Sequence, residues 1–436
     1  MRTSSLLSCL SLALLGARTQ ADVLVVAPAP APGVDHLQIV DAVAAANEGD
    51  LILVRSGLYD DFTILGKSLD VVAEVGASVT VQGGFGVRGL DPAQAVLVRG
   101  LNTQPDGAHG CELKNNQGAV WIEECTLRGA LNNQPPFTFP LELWAGALVE
   151  NCARVSFQRC VFTGGDGSDG SPPNPAGSGL QLLDSDASVY ACSAQGGVGG
   201  DEGDLTNYAG GNGGHGIYAL GDSVLFVSGS NAFGGGGGQG GNDYDIFVGE
   251  QCEPGGTGGD GVRLDEWCFG CPPSGLTVRA LDSLFGGGPG GPPHPFCAGW
   301  MGTPGQSVQV WQGSYSTLPG DAVGAQAPAA LREGESGELG LSGPAGSVAL
   351  VLLGVQQDGT LLLPFSGLLL AGAPSQVLPA GSLDASGEGQ LGLALGALGA
   401  GVEHARVLLQ AVAIELPSGA IRLGGASALT LLDAAF

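Results

Sequence analysis

Basic residues are scarce in this 436-residue chain. Lysine and arginine together number 15, against 42 aspartates and glutamates, so the formal net charge is −27. Only two of the basic residues are lysines, Lys67 and Lys114. Because such a charge repels a phosphate backbone, we exclude nucleic acid as a partner.

Long apolar segments are also lacking. After the N-terminus no run of about 20 apolar residues occurs, so the sequence predicts no transmembrane segment. Residues 1–21 combine Arg2, a short apolar run and small residues before a cleavage point, which is typical of a secretory signal peptide. We therefore expect the protein to be secreted or held in the cell envelope or periplasm, where disulfides form.

Glycine, by contrast, is abundant. The chain holds 79 glycines, of which 41 lie within residues 164–305. They keep no strict third-residue period, which excludes collagen. Hydrophobic residues make up 44% of the chain and charged residues 13%, enough apolar surface for a core. We interpret the glycine-rich segments as long turns that leave one side of the fold and cannot pack a core.

A repeated unit organises the first two thirds of the chain. After a tether at residues 22–36, apolar spacing predicts a short helix over residues 39–46, followed by short strands. A glycine and an apolar residue then recur, each leading to a second strand. The apolar anchors are Val87, Cys111, Leu141, Leu180, Ile217 and Val262. A local unit repeated with growing insertions favours a parallel β-helix over a sandwich.

The composition changes near residue 331. Cysteine and tryptophan disappear, and Leu- and Ala-rich strands alternate with Gly, Pro and Asp turns. These features predict a small β-sandwich domain over residues 331–436. A cap on the end of the solenoid is the alternative interpretation.

The first coils resemble a known group of proteins. The resemblance rests on the helix at 39–46, on Gly49-Asp50-Leu51-Ile52-Leu53-Val54 and on Ser56-Gly57-Leu58-Tyr59-Asp60. These stretches are similar to the opening of secreted right-handed parallel β-helix proteins with the pectin lyase fold. The resemblance implies an all-β, right-handed parallel β-helix over residues 37–320, with a short N-terminal capping helix. The group contains pectate lyases, polygalacturonases, pectin methylesterases and members without a known reaction.

One motif of that group is present only in part. Gly214-His215-Gly216 is similar to the Gly-His-Gly of polygalacturonases. The paired acids and the later Arg-x-Lys of that pattern are missing. His215 also occupies a repeat position that is held by His109, Ser178 and Asp260 in other coils. A position that accepts His, Ser and Asp favours a role in a turn over catalysis. We predict no catalytic residue.

Three residues are candidates for ligand binding. Arg154 and Arg159 flank the strand around Val155 and could bind an acidic sugar, and His215 is the third. Outward-facing, solubilising arginines are the alternative.

Calcium is the one cofactor that the sequence suggests. Residues 255–263 match a calcium-binding nonapeptide, but as a single copy without its tandem partner. The candidate ligands are Asp166, Asp169, Asp201, Asp204 and Asp260. A solvated acidic loop without metal is the alternative.

The cysteines fall into two groups. Cys125 and Cys160 share one repeat position with Leu281, so we expect them to stack inside the solenoid. Four others flank the inserted loops and are disulfide candidates: Cys252, Cys268, Cys271 and Cys297. Zinc binding by Cys268 and Cys271 is the rival interpretation.

These observations predict an exported, non-catalytic β-helix protein that is structural or binds carbohydrate or another cell-envelope component. The alternative is a polysaccharide lyase or glycoside hydrolase acting on acidic polysaccharide. Attachment or sorting through residues 331–436 is a further hypothesis.

Overall fold

The computed structural model describes residues 8–10, 21–104, 106–132, 143–202, 208–245, 249–265, 275–295, 301–361, 365–372 and 376–436. Within these ranges the chain forms a parallel β-helix followed by an antiparallel β-sandwich, and helix α1, Ile39–Ala45, is the one α-helix. No helix in the described part is long and apolar enough to span a bilayer.

Three parallel sheets form the β-helix, and each coil adds one strand to each sheet. Strands are numbered in chain order. The first sheet holds β2 Val23–Val26, β3 Leu51–Val54, β6 Leu69–Ala73, β9 Ala95–Arg99, β12 Ala119–Glu123, β15 Arg154–Gln158, β18 Asp186–Tyr190, β21 Val224–Ser228, β26 Thr277–Leu281 and β29 Ser314–Leu318.

The second and third sheets have eight described strands each. The second holds β4 Gly57–Tyr59, β7 Val79–Gln82, β10 Leu101–Gln104, β13 Thr126–Arg128, β16 Val161–Thr163, β19 Ser193–Gln195, β22 Asn231–Phe233 and β27 Leu284–Gly286. The third holds β5 Phe62–Leu65, β8 Phe85–Arg88, β11 Cys111–Lys114, β14 Ala147–Glu150, β17 Leu180–Leu183, β20 Ile217–Leu220, β25 Val262–Asp265 and β28 Val308–Val310.

The core of the β-helix consists of rows of apolar side chains that repeat from coil to coil. Ile122 pairs with Phe157 in the next coil, and both are fully buried. Neighbouring strands lie about 4.8 Å apart, so equivalent side chains stack directly on one another. Helix α1 covers the N-terminal end of this core with Ile39, Ala42 and Val43. The predicted parallel β-helix with its capping helix is confirmed.

Two details of the predicted organisation differ from the structure. Val23–Val26, which we predicted within the tether, forms the first strand of the first sheet. Val87 does not share the row of the other anchors, because it pairs with Leu113 and not with Cys111. Inward positions alternate every two residues, so spacing along the sequence leaves the register open to a two-residue shift. The anchor Leu141 lies outside the described residues.

Cysteines line one inward row where the chain turns from the first sheet to the second. Cys125 and Cys160 are buried, as predicted, and both thiols are free. Burial raises the pKa of the Cys125 thiol to about 12, so this thiol stays protonated and unreactive. The same row continues with Cys192, Ser230 and Ser283. The expected equivalence with Leu281 is wrong, because Leu281 faces outward against the sandwich.

The glycine-rich segments pack into two layers beside the β-helix. Outgoing segments stack in one layer and returning segments stack in the other. The outgoing segments are 164–170, 196–202, 234–240 and 287–292, and the returning segments are 173–179, 210–216, 254–261 and 301–307. Apart from isolated bridges, these segments carry no helix or strand assignment. Backbone hydrogen bonds join successive segments within each layer and also cross between the layers.

A three-residue period governs the bonds that cross between the layers. The amide of Gly214 donates to the carbonyl of Gly197 at 2.9 Å. The next such bond lies three residues away on each segment, where the amide of Gly211 donates to the carbonyl oxygen of Gly200, also at 2.9 Å. This period and the lack of internal hydrogen bonds are typical of polyproline II helices. Our expectation that these segments cannot pack a core is therefore wrong, because here the packed groups are backbone atoms.

Close backbone approach explains why these positions are glycine. A Cβ atom on Gly235 would lie 1.8 Å from the carbonyl oxygen of Gly197, and one on Gly214 would lie 1.8 Å from that of Gly177. Any side chain would push the layers apart, much as in the crowded axis of collagen. A Cβ atom on the neighbouring Gly236 would have no other heavy atom closer than 3.5 Å. The requirement for glycine is therefore specific to the positions that face the other layer.

The C-terminal domain is a β-sandwich, as predicted. Its two sheets have the strand orders β1-β37-β32-β30 and β31-β39-β38-β33-β36, and β34 pairs with β35. The strands are β1 Ser8–Leu10, β30 Gly324–Gln326, β31 Ala330–Arg332, β32 Ser336–Ser342, β33 Val348–Gly354, β34 Gln356–Leu361, β35 Leu368–Gly372, β36 Gln376–Ser382, β37 Glu388–Leu395, β38 His404–Ile414 and β39 Ile421–Leu432. Strand β1 lies within the predicted signal peptide. Outside the sandwich, strands β23 Asn242–Asp245 and β24 Gly249–Cys252 form an antiparallel hairpin in one of the insertions of the β-helix.

The sandwich lies along the side of the β-helix and does not cap its end. It covers the outer face of the first sheet, where Trp121, Tyr190 and Phe226 share a buried cluster with Leu408 and Ala428 of the sandwich. The face of the first sheet that would otherwise contact water is therefore apolar on many coils. This contact makes the two domains one packed body.

A buried carboxylate lies at the centre of this contact. Glu123 is fully buried and accepts hydrogen bonds from the indole of Trp121 at 2.8 Å and from the backbone amide of Ala428 at 2.8 Å. Arg99, whose side chain is 2% exposed, pairs with Glu123 at 3.3 Å. Arg99 also donates to the carbonyl oxygen of Ala327 at 2.8 Å. Charged groups of the β-helix thus satisfy backbone groups of the sandwich.

Substituting alanine at Gly235 should lower the free energy of unfolding by about 1–3 kcal/mol or more, because the new methyl group collides with rigid backbone. The matched control is the adjacent Gly236→Ala, which has room and should change stability by less than about 1 kcal/mol. Denaturant unfolding measures both. Equal effects of the two substitutions would contradict a packed polyproline II layer.

Removing one of the two cations beside Glu123 should destabilise the protein. Arg99→Met leaves the buried carboxylate with Arg159 as its remaining charge partner and takes the donor from the carbonyl oxygen of Ala327, so we expect a loss of about 3 kcal/mol. Arg88→Met is the control, since Arg88 is 48% exposed in its ion pair with Glu112 and should cost at most about 1 kcal/mol. Thermal unfolding of the two variants, compared with the unchanged chain, checks this difference.

Candidate functional site

The outer face of the third sheet carries a cluster of ring, amide and charged side chains near its C-terminal end. Gln181, Tyr218, Arg263 and Gln309 occupy the same position on four successive strands, β17, β20, β25 and β28. Strand register therefore brings them into one row along the axis of the β-helix. Trp311, directly after β28, extends this surface and is 64% exposed.

Arg263 is the centre of the cluster. Its guanidinium carbon lies 6.0 Å from the centre of the Tyr218 ring and 5.9 Å from that of Trp311, within the range of cation–π contacts. The same guanidinium donates to Asp265 at 3.0 Å and lies 3.8 Å from a carboxylate oxygen of Asp260. These contacts hold Arg263 between two rings and neutralise its charge locally.

His215 and Asp260 border the cluster in the turn before the sheet. The Nδ1 atom of His215 accepts a hydrogen bond from the backbone amide of Asp260 at 2.9 Å. Asp260 in turn accepts one from the amide of Gln306 at 2.7 Å. His109 uses its Nδ1 in the same way toward the amide of Ala145, at 2.9 Å. This repeated geometry supports the turn role that we predicted for the position.

The protonation states follow from the same geometry. Burial, helped by the positive charge of Arg263, lowers the pKa of His215 to about 3. Burial likewise lowers the pKa of His109 to about 4. Both imidazoles are therefore neutral near pH 7, and in both the Nδ1 lone pair is already used by a backbone amide. Neither ring is placed to take a proton from a substrate.

The two predicted arginines have different surroundings. Arg154 donates to the carbonyl oxygen of Pro92 at 2.6 Å and is partly exposed, so it remains a candidate for ligand binding. Arg159 is 17% exposed and forms an ion pair with Glu124 at 3.2 Å. It also donates to Ala325 of the sandwich at 2.7 Å. We therefore assign Arg159 to the domain contact and withdraw it from the candidate binding residues.

The predicted calcium ligands serve the stacking of coils. Asp166 accepts a hydrogen bond from the amide of Val198 at 2.8 Å, and Asp169 accepts one from Asp201 at 2.9 Å. Asp201 accepts one from Gln239 at 2.7 Å. Asp204 lies outside the described residues. Within the described ranges, no three His, Cys, Asp or Glu residues converge to hold a metal ion. Calcium binding stays a prediction, which calorimetry with added calcium tests.

One of the four loop cysteines lies within the described residues. Cys252 is disulfide-bonded, whereas Cys268, Cys271 and Cys297 lie outside the described residues. The pairing among these four cysteines, and the rival zinc site, therefore stay predictions.

The motifs of the sequence indicate no binding role for Tyr218, Arg263 or Trp311. One signal was available. Tyr218 and Arg263 each follow an anchor residue, Ile217 and Val262, by one position. Since side chains alternate along a strand, the residue after an inward anchor faces outward.

The two histidines should contribute to loss of stability in acid. Below pH 6.5 the unfolded chain takes up protons on His109 and His215, whereas the folded chain does not until pH reaches about 4 and 3. Stability should therefore fall as pH drops from about 6.5 toward 4. In the double variant His109→Asn/His215→Asn this fall should be smaller, because asparagine keeps the acceptor, as Asn212 shows toward Thr257.

Denaturant unfolding between pH 4 and 8 measures this difference. The single variant His36→Asn is the control, since His36 is half-buried before α1 and does not belong to the row of His109 and His215. Identical pH slopes for the double variant and the unchanged chain would contradict the proposed neutral histidines.

Comparisons with known proteins add little to this geometry. No protein-family model matches the chain, and no curated protein sequence matches it. A solved structure described as a rhamnogalacturonan lyase aligns over 60% of this chain and 74% of its own, with 10% identity and a TM-score of 0.21. A similarity of this size carries no argument about function. The architecture itself, three long parallel sheets stacked in coils, is that of a parallel β-helix, the fold that the resemblance of the first coils implies.

Proposed function

We propose that this chain is an exported, non-catalytic β-helix protein that binds carbohydrate on the outer face of its third sheet. One observation carries the proposal, namely the exposed Trp311 and the ring of Tyr218 on either side of Arg263. Aromatic rings present a flat apolar surface with polar edges, against which the apolar face of a sugar ring packs. Gln181 and Gln309, in the same row, supply amide donors and acceptors for hydroxyl groups.

The charges of the cluster favour a neutral glycan. Asp260 and Asp265 already balance Arg263, so the guanidinium offers little attraction to a uronate. The whole chain carries a net charge of −27, which repels a polyanionic polysaccharide over long range. We therefore expect tighter binding to neutral polysaccharides than to pectate or alginate.

The cluster offers little support for the alternative, a lyase or a hydrolase. Glycoside hydrolysis requires one carboxyl as acid and a second as base or nucleophile. Asp260 is committed to the amide of Gln306 and lies near His215, while Asp265 accepts from Arg263. Burial raises the pKa of the Tyr218 hydroxyl, so this group stays protonated. Such fixed, compensated groups suit binding better than proton transfer.

Binding should depend on the two rings. We expect Trp311→Ala and Tyr218→Ala each to weaken affinity for a neutral polysaccharide about tenfold, equivalent to about 1.4 kcal/mol. The control is Leu65→Ala, because Leu65 is also 64% exposed but lies on β5, at the other end of the same sheet. Affinity electrophoresis against neutral glycans, pectin and alginate gives the comparison.

The same samples test catalysis. Release of new reducing ends or of unsaturated products from any of these polymers would overturn the non-catalytic part of the proposal. Binding that both ring variants retain in full would place the site elsewhere, and absence of binding to every glycan would overturn carbohydrate binding itself.

A further inference from the structure

The core of the β-helix is open at its C-terminal end in the part of the chain that the structure describes. Val310 pairs with Leu264, and both belong to one inward-facing row. Leu264 is fully buried, yet Val310 is 41% exposed. The neighbouring inward row shows the same change, since Ala280 is 3% exposed and its partner Thr317 is exposed to solvent.

The last strand of each sheet also has a free edge. In each described sheet β27, β28 and β29 are the final members and pair on one side only. Such an edge presents backbone donors and acceptors that can pair with another strand. The opposite end of the β-helix is different, because α1 covers its core.

The terminal coil, residues 283–320, lacks the charges that usually protect an open edge. It contains no Asp, Glu, Lys or Arg, although the chain as a whole has 15 basic and 42 acidic residues. Natural proteins block association at edge strands with charged side chains, proline or bulges. Strands β28 and β29, with the sequences Val-Gln-Val and Ser-Tyr-Ser-Thr-Leu, contain none of these residues.

We propose that two copies of this chain associate tail to tail through the terminal coil, so that each copy closes the open core of the other. Charge selects this partner. A basic protein would be attracted to the acidic remainder of the surface, whereas two copies with a net charge of −27 each repel one another everywhere except at an uncharged face. A two-fold contact also places each apolar row against a surface of its own kind.

The proposal is tested on the purified full chain by measuring its mass in solution over a range of concentrations. We expect the mass to double as concentration rises. Val310→Lys puts a charge into the contact and should keep the protein monomeric. The matched control is Val161→Lys, because Val161 is 44% exposed on the outer side of the second sheet, and this variant should still dimerise.

Circular dichroism and the melting temperature establish that both variants remain folded, and Thr317→Lys serves as a second variant if Val310→Lys does not fold. A chain that stays monomeric at every concentration would overturn the proposal. So would a dimer that persists in both Val310→Lys and Thr317→Lys, since the contact would then lie elsewhere. Strong amide-exchange protection of Val310 in a monomer would also overturn it. The amide of the next residue, Trp311, pairs with Leu264, so that of Val310 faces the free edge, and its protection would show that the edge is already covered.

Discussion

Every part of this protein depends on the pairing of one coil's backbone with the next. In the three sheets this pairing forms parallel ladders with apolar side chains stacked inside. In the glycine-rich segments it forms polyproline II layers, where the backbone itself is the packed material. Both solutions satisfy buried amide and carbonyl groups, which would otherwise be costly. They differ in what they allow at each position, because the sheets accommodate side chains and the inner positions of the layers exclude them.

The same pairing organises the polar residues. Once the register is fixed, equivalent positions on successive coils form rows, and the outward-facing rows make up the surface of each sheet. The row at the turn before the third sheet holds His215 and Asp260, whose side chains accept amide hydrogen bonds from the next coil. The outward row beside it holds Tyr218 and Arg263. Residues that are 45 positions apart in the sequence thus become direct neighbours, and the candidate binding surface follows from the stacking.

The sandwich adds a different constraint. It contributes a large apolar contact and places backbone groups around the buried Glu123. Two arginines of the β-helix, Arg99 and Arg159, point into this contact and bind carbonyl oxygens of the sandwich. Because the sandwich shields Glu123 from water and supplies carbonyl oxygens to both arginines, we infer that it stabilises the first sheet. The sandwich covers the outer face of the first sheet and leaves those of the second and third sheets, and the terminal coil, accessible to partners.

By itself, the sequence determined the β-helix, its capping helix and the sandwich, because alternating apolar residues and repeated glycine turns are local signals. It also indicated that His215 belongs to a turn, since His109 and Asp260 share its repeat position. Only the tertiary structure decided the register, the packing of the glycine-rich layers, the role of Arg159 and the cluster around Arg263. The physical reason is that each of these depends on which coil lies against which. Insertions of variable length hide that relation along the chain, and only the hydrogen bonds between coils reveal it.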